Sequence, residues 1–328
     1  MSLPNSKELG GYMEIDLYLL DQFPYKNAAT FNSARSALYE YAKYLNIKVI
    51  WMPKFICDTV LLALECLDIT IKYYDLDETF FPCLTSMLED NEYLYYVNYF
   101  GICTGNLYKL KEKYPSSRLI FDHAQAFFVP PVGDVTTIYS PRKFLPVADG
   151  GILVTKVSVT SCTKKPSDSF LIDQYKYLFT RYLSSAKLGY EGFQLNEQYF
   201  NENIPKAISP LTELIFKNLD YKKMRDRRIE NFMYLHSKLG KLNKLTINLE
   251  SIESPLTYPF LFDKQFTLEL IDNNIYSPTY WKDCLKRIDN NSFEYSLVNK
   301  VTHLICDHRY NIEDMKIQLE VINSIVSF

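Results

Sequence analysis

The sequence has no long apolar run and no strong excess of charge of either sign. The longest apolar stretch, residues 60–69, is interrupted by Glu65. It is far shorter than the roughly 20 apolar residues that a membrane-spanning helix needs. The 36 basic and 39 acidic residues give a net charge of −3, so no global field attracts nucleic acid or an anionic membrane. We therefore expect neither of them as a partner.

The cysteines form no pattern. There are seven, an odd number, and none stands in C-x-x-C spacing. Such a set is typical of reduced thiols in the cytoplasm, and it argues against both a disulfide framework and a zinc site. The first eleven residues are polar and have no apolar segment like that of a secretory signal. We expect a cytoplasmic protein without a metal site.

Short β-type runs alternate with amphipathic helical patterns through the first two-thirds of the chain. The pattern predicts strands at 48–51, 70–74, 93–98, 119–121, 136–139 and 152–155, and helices at 33–45, 58–67 and from 107 onward. This alternation predicts βαβ units in an α/β fold with a mostly parallel sheet. The ligand of such a sheet lies outside the carboxyl ends of the strands.

The later part of the chain has a different pattern. Longer helices are predicted at 170–188 and 209–239, followed by short strands at 245–249 and 258–262. A chain of 328 residues is long enough for two domains. We predict a large domain of residues 1–205, including an N-terminal arm, and a smaller C-terminal α+β domain of residues 206–328 that contains a long connecting helix. The polar segment 194–205 is the expected hinge.

Asp122 and Lys143 are the most informative residues. An apolar run, residues 119–121, ends at Asp122, and a second run, residues 136–139, leads through Arg142 to Lys143. The lysine lies among apolar residues and follows an arginine, and both features lower the pKa of an amine. In a pyridoxal phosphate (PLP) enzyme, a lysine forms the Schiff base and a carboxylate keeps the pyridine nitrogen protonated. The pair predicts PLP as the cofactor.

Several segments around this pair match a known family. They are Asp122-His123-Ala124-Gln125-Ala126, Gly133-Asp134-Val135, Tyr139-Ser140, Lys143 and Asp149-Gly150-Gly151, with weaker matches at 10–12, 32–38, 275–281 and 307–310. In these segments the chain resembles the DegT/DnrJ/EryC1/StrS aminotransferases. The resemblance implies a fold-type-I PLP-dependent transferase with a seven-stranded type of sheet, active as a homodimer with its site at the subunit interface.

The resemblance also implies a reaction. An amino group would pass from a donor such as glutamate to a keto group of a nucleotide-linked sugar, for surface-polysaccharide biosynthesis. Three alternatives stay open: a non-sugar acceptor, dehydratase chemistry, or a member that binds the cofactor or a partner without turnover. Lys143 argues against the dehydratase branch, which has histidine at this position.

The resemblance assigns roles to individual residues. Asp122 would contact the ring nitrogen and Gln125 the ring or its phenolic oxygen. The cofactor phosphate would bind Ser140 and the start of a helix at Ser33-Ala34-Arg35, where free N–H groups and the helix dipole favour an anion. The remaining candidates are Phe55 to stack on the ring, with Cys57 as the alternative, Tyr99 to line the substrate pocket, and Arg309 to bind the donor carboxylate.

The chain departs from the family pattern at two points. Ala34-Arg35 replaces a Gly-Thr pair, and Ser140 and Lys143 are three positions apart where the family has about five. A basic run at 222–228 has acidic residues interleaved within it and near it, so we interpret it as a solvated helix face rather than a nucleotide site.

Overall fold

The computed structural model describes residues 12, 15, 17, 20–164, 166–200 and 205–325. Gly10 and Gly11, part of the weak N-terminal match, lie outside the described residues. In the described part, no helix is both long and apolar enough to cross a bilayer.

The main sheet has eight strands within the described residues. In spatial order they are β1 (Ala29–Phe31), β8 (Gly151–Val154), β7 (Thr136–Tyr139), β6 (Leu119–Asp122), β5 (Glu92–Val97), β2 (Val49–Pro53), β3 (Thr70–Leu76) and β4 (Pro82–Cys83). The five strands from β7 to β3 run parallel, whereas β1, β8 and β4 pair antiparallel at the edges. The mostly parallel α/β sheet is confirmed, with the two-residue β4 added to the expected seven strands.

Helices and a small second sheet complete the described fold. The helices are α1 (Ala34–Tyr44), α2 (Asp58–Glu65), α3 (Thr104–Lys113), α4 (Asp168–Leu183), α5 (Ala186–Tyr199), α6 (Pro210–Phe216), α7 (Tyr221–Leu239), α8 (Thr267–Asp272), α9 (Phe293–Lys300) and α10 (Ile312–Ile325). Strands β9 (Thr257–Leu261) and β10 (Val301–Ile305) pair antiparallel. An α+β arrangement therefore follows the large sheet, while the domain boundary at 205 stays a prediction.

Two helices that were predicted to be continuous are each divided into two helices in the structure. The pattern at 170–188 falls on α4 and α5, because Ser184 leaves helical geometry (φ −132°, ψ −88°) and the Ser185 hydroxyl then caps α5. The pattern at 209–239 falls on α6 and α7, and α7 begins where the Asp220 carboxylate accepts a hydrogen bond from the Lys223 amide at 2.9 Å. Serine and aspartate offer local caps that interrupt an otherwise periodic pattern.

Three other expectations change. The strand predicted at 245–249 is wrong, since this segment is irregular and β10 pairs with β9 instead. Of the expected hinge, 194–199 belongs to α5 and 201–204 lies outside the described residues. The basic run is not solvated throughout, because Arg228 is buried and lies over the Phe144 ring at 4.5 Å, whereas Lys222 and Lys223 are exposed.

A tight turn connects the sheet with the start of α1. Gly150 has a φ of +128°, which favours glycine, and its amide donates to the Asn32 carbonyl at 2.8 Å. The Asp149 carboxylate accepts from the amide and hydroxyl of Ser209, at 2.7 and 2.8 Å. A Cβ atom on Gly151 would lie 2.0 Å from the Ser33 carbonyl oxygen. The turn therefore holds the first residues of α1 directly against the edge of β8.

We predict that Gly151→Ala lowers the free energy of unfolding by about 1–3 kcal/mol, because the backbone of Ser33 has to move away from the added methyl group. Gly105→Ala is the matched control. Its Cβ would meet its nearest neighbour at 3.9 Å within α3, so the change is neutral or stabilises by up to about 1 kcal/mol. Urea denaturation of both variants measures the difference, and equal midpoints would contradict the close packing.

Candidate active site

Four chain segments converge at the carboxyl ends of the parallel strands. They are the start of α1, the loop after β2, the residues after β6, and a short 3₁₀ helix, Pro141–Lys143, after β7. Strands β6 and β7 are direct neighbours, with Asp122 paired to Ile138. The residues that follow Asp122 and the segment that contains Lys143 therefore leave the sheet side by side, where open α/β sheets bind their ligands.

Asp122 is held in place by two donors. Its Oδ1 accepts from the Ala124 amide at 2.7 Å, and its Oδ2 accepts from the Tyr95 hydroxyl at 2.9 Å. Burial raises the pKa of the Asp122 carboxyl, while the positive charge of Lys143 and the two donors act in the opposite direction. The carboxylate is thus fixed in direction, and its charge depends on the groups around it.

Lys143 combines accessibility with a dense protein environment. Its side chain is exposed to solvent, yet the surrounding protein lowers the pKa of its amine by desolvation. The negative charge of Asp122 opposes this effect, and the positive charges of Arg142 and Arg35 reinforce it. An amine that is reachable and biased towards its neutral form is suited to attack a carbonyl group.

Three positive side chains influence one another here: Arg35, Arg142 and Lys143. Arg142 was not named as a site residue, although its effect on the pKa of the following lysine was expected. Its side chain forms an ion pair with Glu197 and lies over the Phe200 ring at 4.3 Å. Burial lowers the pKa of Arg142 to about 10, and the charge of Arg35 lowers it as well. This concentration of positive charge favours an anionic ligand.

The start of α1 adds to this anion-binding character. Ser33 is the N-cap residue, and its hydroxyl accepts from the Ser36 amide at 3.1 Å. Ala34 and Arg35 form the first turn, where helix N–H groups lack intrahelical partners and the helix dipole favours negative charge. Ser33 therefore contributes by shaping the helix start, and Arg35 places a charge beside it.

The two polar atoms of the Gln125 side chain differ in their hydrogen bonding. Its side chain is fully buried, and its Oε1 accepts from the Phe100 amide at 2.8 Å. Its Nε2 is buried and has no hydrogen-bond partner among the described residues. Leaving a buried donor unpaired costs about 1–3 kcal/mol. A ligand oxygen beside Asp122 would satisfy this donor.

Phe55 and Tyr99 lie in a buried cluster of aromatic side chains. Phe55 is fully buried, with its ring centroid 5.6 Å from that of Tyr99 and 4.8 Å from that of Trp281. The Tyr99 hydroxyl donates to the Phe55 carbonyl at 3.1 Å. Cys57, the alternative to Phe55, is an electrostatic neighbour of both Arg35 and Lys143.

Arg309 is already paired with a carboxylate of the protein, whereas Ser140 lies beside the lysine segment. The Arg309 guanidinium donates to both carboxylate oxygens of Asp307, at 2.9 and 2.6 Å, so another carboxylate has to compete with that pair. Ser140 directly precedes the 3₁₀ helix, and its carbonyl accepts from the Lys143 amide at 3.3 Å. Ser140 is therefore part of the segment that sets the position of the lysine.

The sequence matches no family model and no curated protein. Solved structures of similar fold exist. One of them is Spr1654 from Streptococcus pneumoniae, which is assigned as a sugar aminotransferase and has been solved in PLP and PMP forms. Its PLP form has a TM-score of 0.62 and a sequence identity of 14%, and the match covers 93% of this chain and 88% of that one. A DegT DnrJ EryC1 StrS aminotransferase from Brucella abortus has a TM-score of 0.61 and a sequence identity of 13%, and the match covers 92% of this chain and 87% of that one. The sugar aminotransferase CalS13 from Micromonospora echinospora has a TM-score of 0.58 and a sequence identity of 15%, and the match covers 90% of this chain and 87% of that one. The chain shares their fold.

We predict that Tyr95→Phe raises the pKa of Asp122, because the charged carboxylate loses a hydrogen-bond donor while its burial is unchanged. At a pH between the pKa of Asp122 in the unaltered protein and its pKa in Tyr95→Phe, a larger fraction of Asp122 is protonated in the variant. Tyr96→Phe is the control: the Tyr96 hydroxyl donates to the Phe80 carbonyl at 2.9 Å, away from Asp122. Carbon-13 NMR titration of the cofactor-free protein measures the pKa. A pKa that is unchanged or lowered in Tyr95→Phe would contradict the role given to this hydroxyl.

Proposed function

We propose that this chain is a PLP-dependent aminotransferase. One observation supports this above all others: Asp122 and Lys143 leave adjacent parallel strands at their carboxyl ends and interact electrostatically. A carboxylate and a lysine are the two groups that PLP chemistry requires of the protein. The fold shared with sugar aminotransferases, one of them solved in PLP and PMP forms, supports the same function.

The residues present fit the cofactor. Arg35, Ser140 and the first turn of α1 would hold its phosphate, because positive charge and helix N–H groups both favour an anion. Gln125 Nε2, a buried donor that has no partner in the described part of the chain, would meet the phenolic oxygen. Asp122 would lie at the ring nitrogen and Lys143 at the aldehyde. Bound PLP supplies an electron sink for bond changes at the carbon that carries the amino group.

The protein's own part in catalysis is proton transfer and charge control. Lys143 Nζ in its neutral form would take up the proton from the carbon that carries the amino group and deliver it to the aldehyde carbon of the cofactor. Desolvation keeps the pKa of that amine low, and the charges of Arg142 and Arg35 act in the same direction. The Asp122 carboxylate keeps the ring nitrogen protonated, and its own donors, Tyr95 and Ala124, fix its direction.

The finer assignments rest on the resemblance and on the neighbours' names. We propose that a donor such as glutamate supplies the amino group and that a keto group of a nucleotide-linked sugar receives it, in surface-polysaccharide biosynthesis in the cytoplasm. We also propose a homodimer in which the second copy contributes to the sugar pocket. Arg309 and Tyr99 stay candidate substrate residues, and Phe55 or Cys57 the candidate contact to the ring.

A second candidate is a protein that binds the cofactor without turnover. The observations in its favour are Ala34-Arg35 in place of a Gly-Thr pair and the short spacing from Ser140 to Lys143. Absorbance spectra during addition of a panel of amino donors separate the candidates. A catalyst converts PLP to pyridoxamine phosphate with a donor alone, and a protein without turnover does not. Conversion that no sugar nucleotide reverses would favour a non-sugar acceptor.

We predict that the purified protein with added PLP gains a visible absorbance band that Lys143→Ala abolishes, since the band requires a covalent bond to the lysine amine. Lys156→Ala is the control. Lys156 is an exposed lysine with its Nζ 3.5 Å from an Asp134 carboxylate oxygen, and its loss should leave the band unchanged. A band that persists in Lys143→Ala would remove this lysine from the mechanism.

We predict that Asp122→Asn keeps the cofactor bound and slows the half-reaction with glutamate by roughly ten- to a hundredfold or more. The amide cannot compensate the positive charge of the protonated ring nitrogen, and interactions with charged groups contribute about 1.5–3 kcal/mol. Stopped-flow absorbance measures the rate. A rate equal to that of the unaltered protein would show that Asp122 does not contact the ring nitrogen.

A further inference from the structure

We propose that Glu197, near the end of α5, is a positioning residue for Lys143: it holds the preceding residue, Arg142, and balances its charge. Its part in the reaction rests on the proposed function. Its effect on the amine does not, and can be measured without cofactor.

Arg142 carries a charge that the protein has largely removed from water. Its side chain is 12% exposed, and its Nε is buried without a hydrogen-bond partner in the described part of the chain. In the same part of the chain, Glu197 is the one carboxylate that forms a salt bridge with it. The charge of Asp149 also raises its pKa, but the oxygens of that carboxylate accept from Ser209 and Thr212. Because removing one partner of a buried ion pair leaves an uncompensated charge, the state of Arg142 depends on Glu197.

The end of α5 is anchored to the segment that carries the lysine. Asn196 Nδ2 donates to the Ala148 carbonyl at 2.8 Å, and Asn196 Oδ1 accepts from Gln174 of α4 at 2.9 Å. The next residue, Glu197, contacts Arg142. Two consecutive residues of α5 therefore hold this segment, one before the lysine and one after it.

The residue that follows the lysine is held as well. The Arg228 guanidinium lies 4.5 Å from the centroid of the buried Phe144 ring. Its Nη1 donates to the carbonyl groups of Pro255 and Leu256, at 3.2 and 3.4 Å. The backbone on both sides of the lysine is thus fixed, so a change of charge at Glu197 acts on the amine through electrostatics more than through movement.

The Lys143 amine experiences charges of both signs. Desolvation lowers its pKa and Asp122 opposes this, while Arg142 and Arg35 act in the same direction as desolvation. A negative charge paired with Arg142 offsets part of the field of that guanidinium at the amine. Without Glu197, the pKa of the amine should therefore fall further.

Other titratable groups face this pair of residues from the surrounding elements. Besides Glu197, those that act on Lys143 or Arg142 are Asp122, Cys57, Asp149, Arg35 and Tyr177. The proposed reaction needs an amine that attacks a carbonyl group and also holds a proton in transit, so its pKa has to stay near the operating pH. Glu197 prevents the positive neighbours from lowering that pKa too far.

The test measures the reactivity of Lys143 in the full-length protein without cofactor. The protein is labelled with a trace of acetic anhydride at a series of pH values, and mass spectrometry gives the acetylation rate of this lysine. Glu197→Gln keeps the shape of the side chain and removes its charge, so the midpoint of the rate profile should move to lower pH. Below the midpoint the rate should rise about two- to fivefold, a modest factor because Glu197 is 44% exposed and solvent screens its charge.

Arg142→Gln distinguishes an effect of charge from a loss of structure. Removing the positive charge should move the Lys143 midpoint to higher pH, opposite to Glu197→Gln, whereas loosening of the lysine segment would move both midpoints in the same direction. Glu191→Gln is the matched control. It removes the same charge from an exposed position of the same helix, and it should leave the profile of Lys143 unchanged.

Circular dichroism establishes that each variant is folded. If Glu197→Gln alone is not, the double variant Arg142→Gln/Glu197→Gln takes its place, since no guanidinium is then left unpaired. Its midpoint should lie below that of Arg142→Gln. A midpoint that Glu197→Gln does not change, or a shift of both single variants in the same direction, would overturn the proposal.

The same proteins with added PLP separate this proposal from the proposed function. If the visible band forms on Lys143, the pH at which its absorbance changes should be lower in Glu197→Gln than in the unaltered protein. If no band forms in any of the proteins, the proposed function fails. The acetylation profiles then still decide whether Glu197 controls the amine.

Discussion

The electrostatic interaction between Asp122 and Lys143 is the constraint on which the rest of the site depends. Desolvation by the surrounding protein disfavours the charge on both groups, raising the pKa of the carboxyl and lowering that of the amine, and each partner's charge opposes this effect on the other. The pair exists because two parallel strands end side by side. The hydroxyl of Tyr95 and the amide of Ala124 then fix the carboxylate, while Arg35 and Arg142 bias the amine towards its neutral form.

The C-terminal half of the chain holds the loops around this pair. Asp149, buried beside the turn that contacts α1, accepts from Ser209 and Thr212 at the start of α6. Arg287 donates to the carbonyl groups of Lys54 and Ile56, in the loop after β2. Loops that are fixed by buried, charged groups lose little further conformational entropy when a ligand binds. The anion-binding start of α1 and the loop that contains Cys57 are therefore preorganised.

The sequence was sufficient to predict the parallel sheet and the meeting of Asp122 and Lys143, because strand alternation determines where strand ends lie. Partners that are distant along the chain were not predictable in this way. Tyr95 reaches Asp122 only through the pairing of β5 with β6, and Glu197 reaches Arg142 only through the position of α5. The aromatic neighbours of Phe55, which bury its ring, were likewise not predictable from its position after β2, and its contact to the cofactor ring stays a prediction. Breaks at Ser184 and Asp220 were missed because local caps interrupt periodic patterns.

Chemical trapping of the cofactor tests the central claim most directly. The protein is incubated with PLP and reduced with sodium borohydride, which makes the bond to a lysine permanent, and its peptides are then mapped by mass spectrometry. We predict a pyridoxyl group on Lys143, at close to one group per chain. A group distributed over exposed lysines, or located at one other lysine, would contradict the assignment of Lys143 as the residue that binds the cofactor.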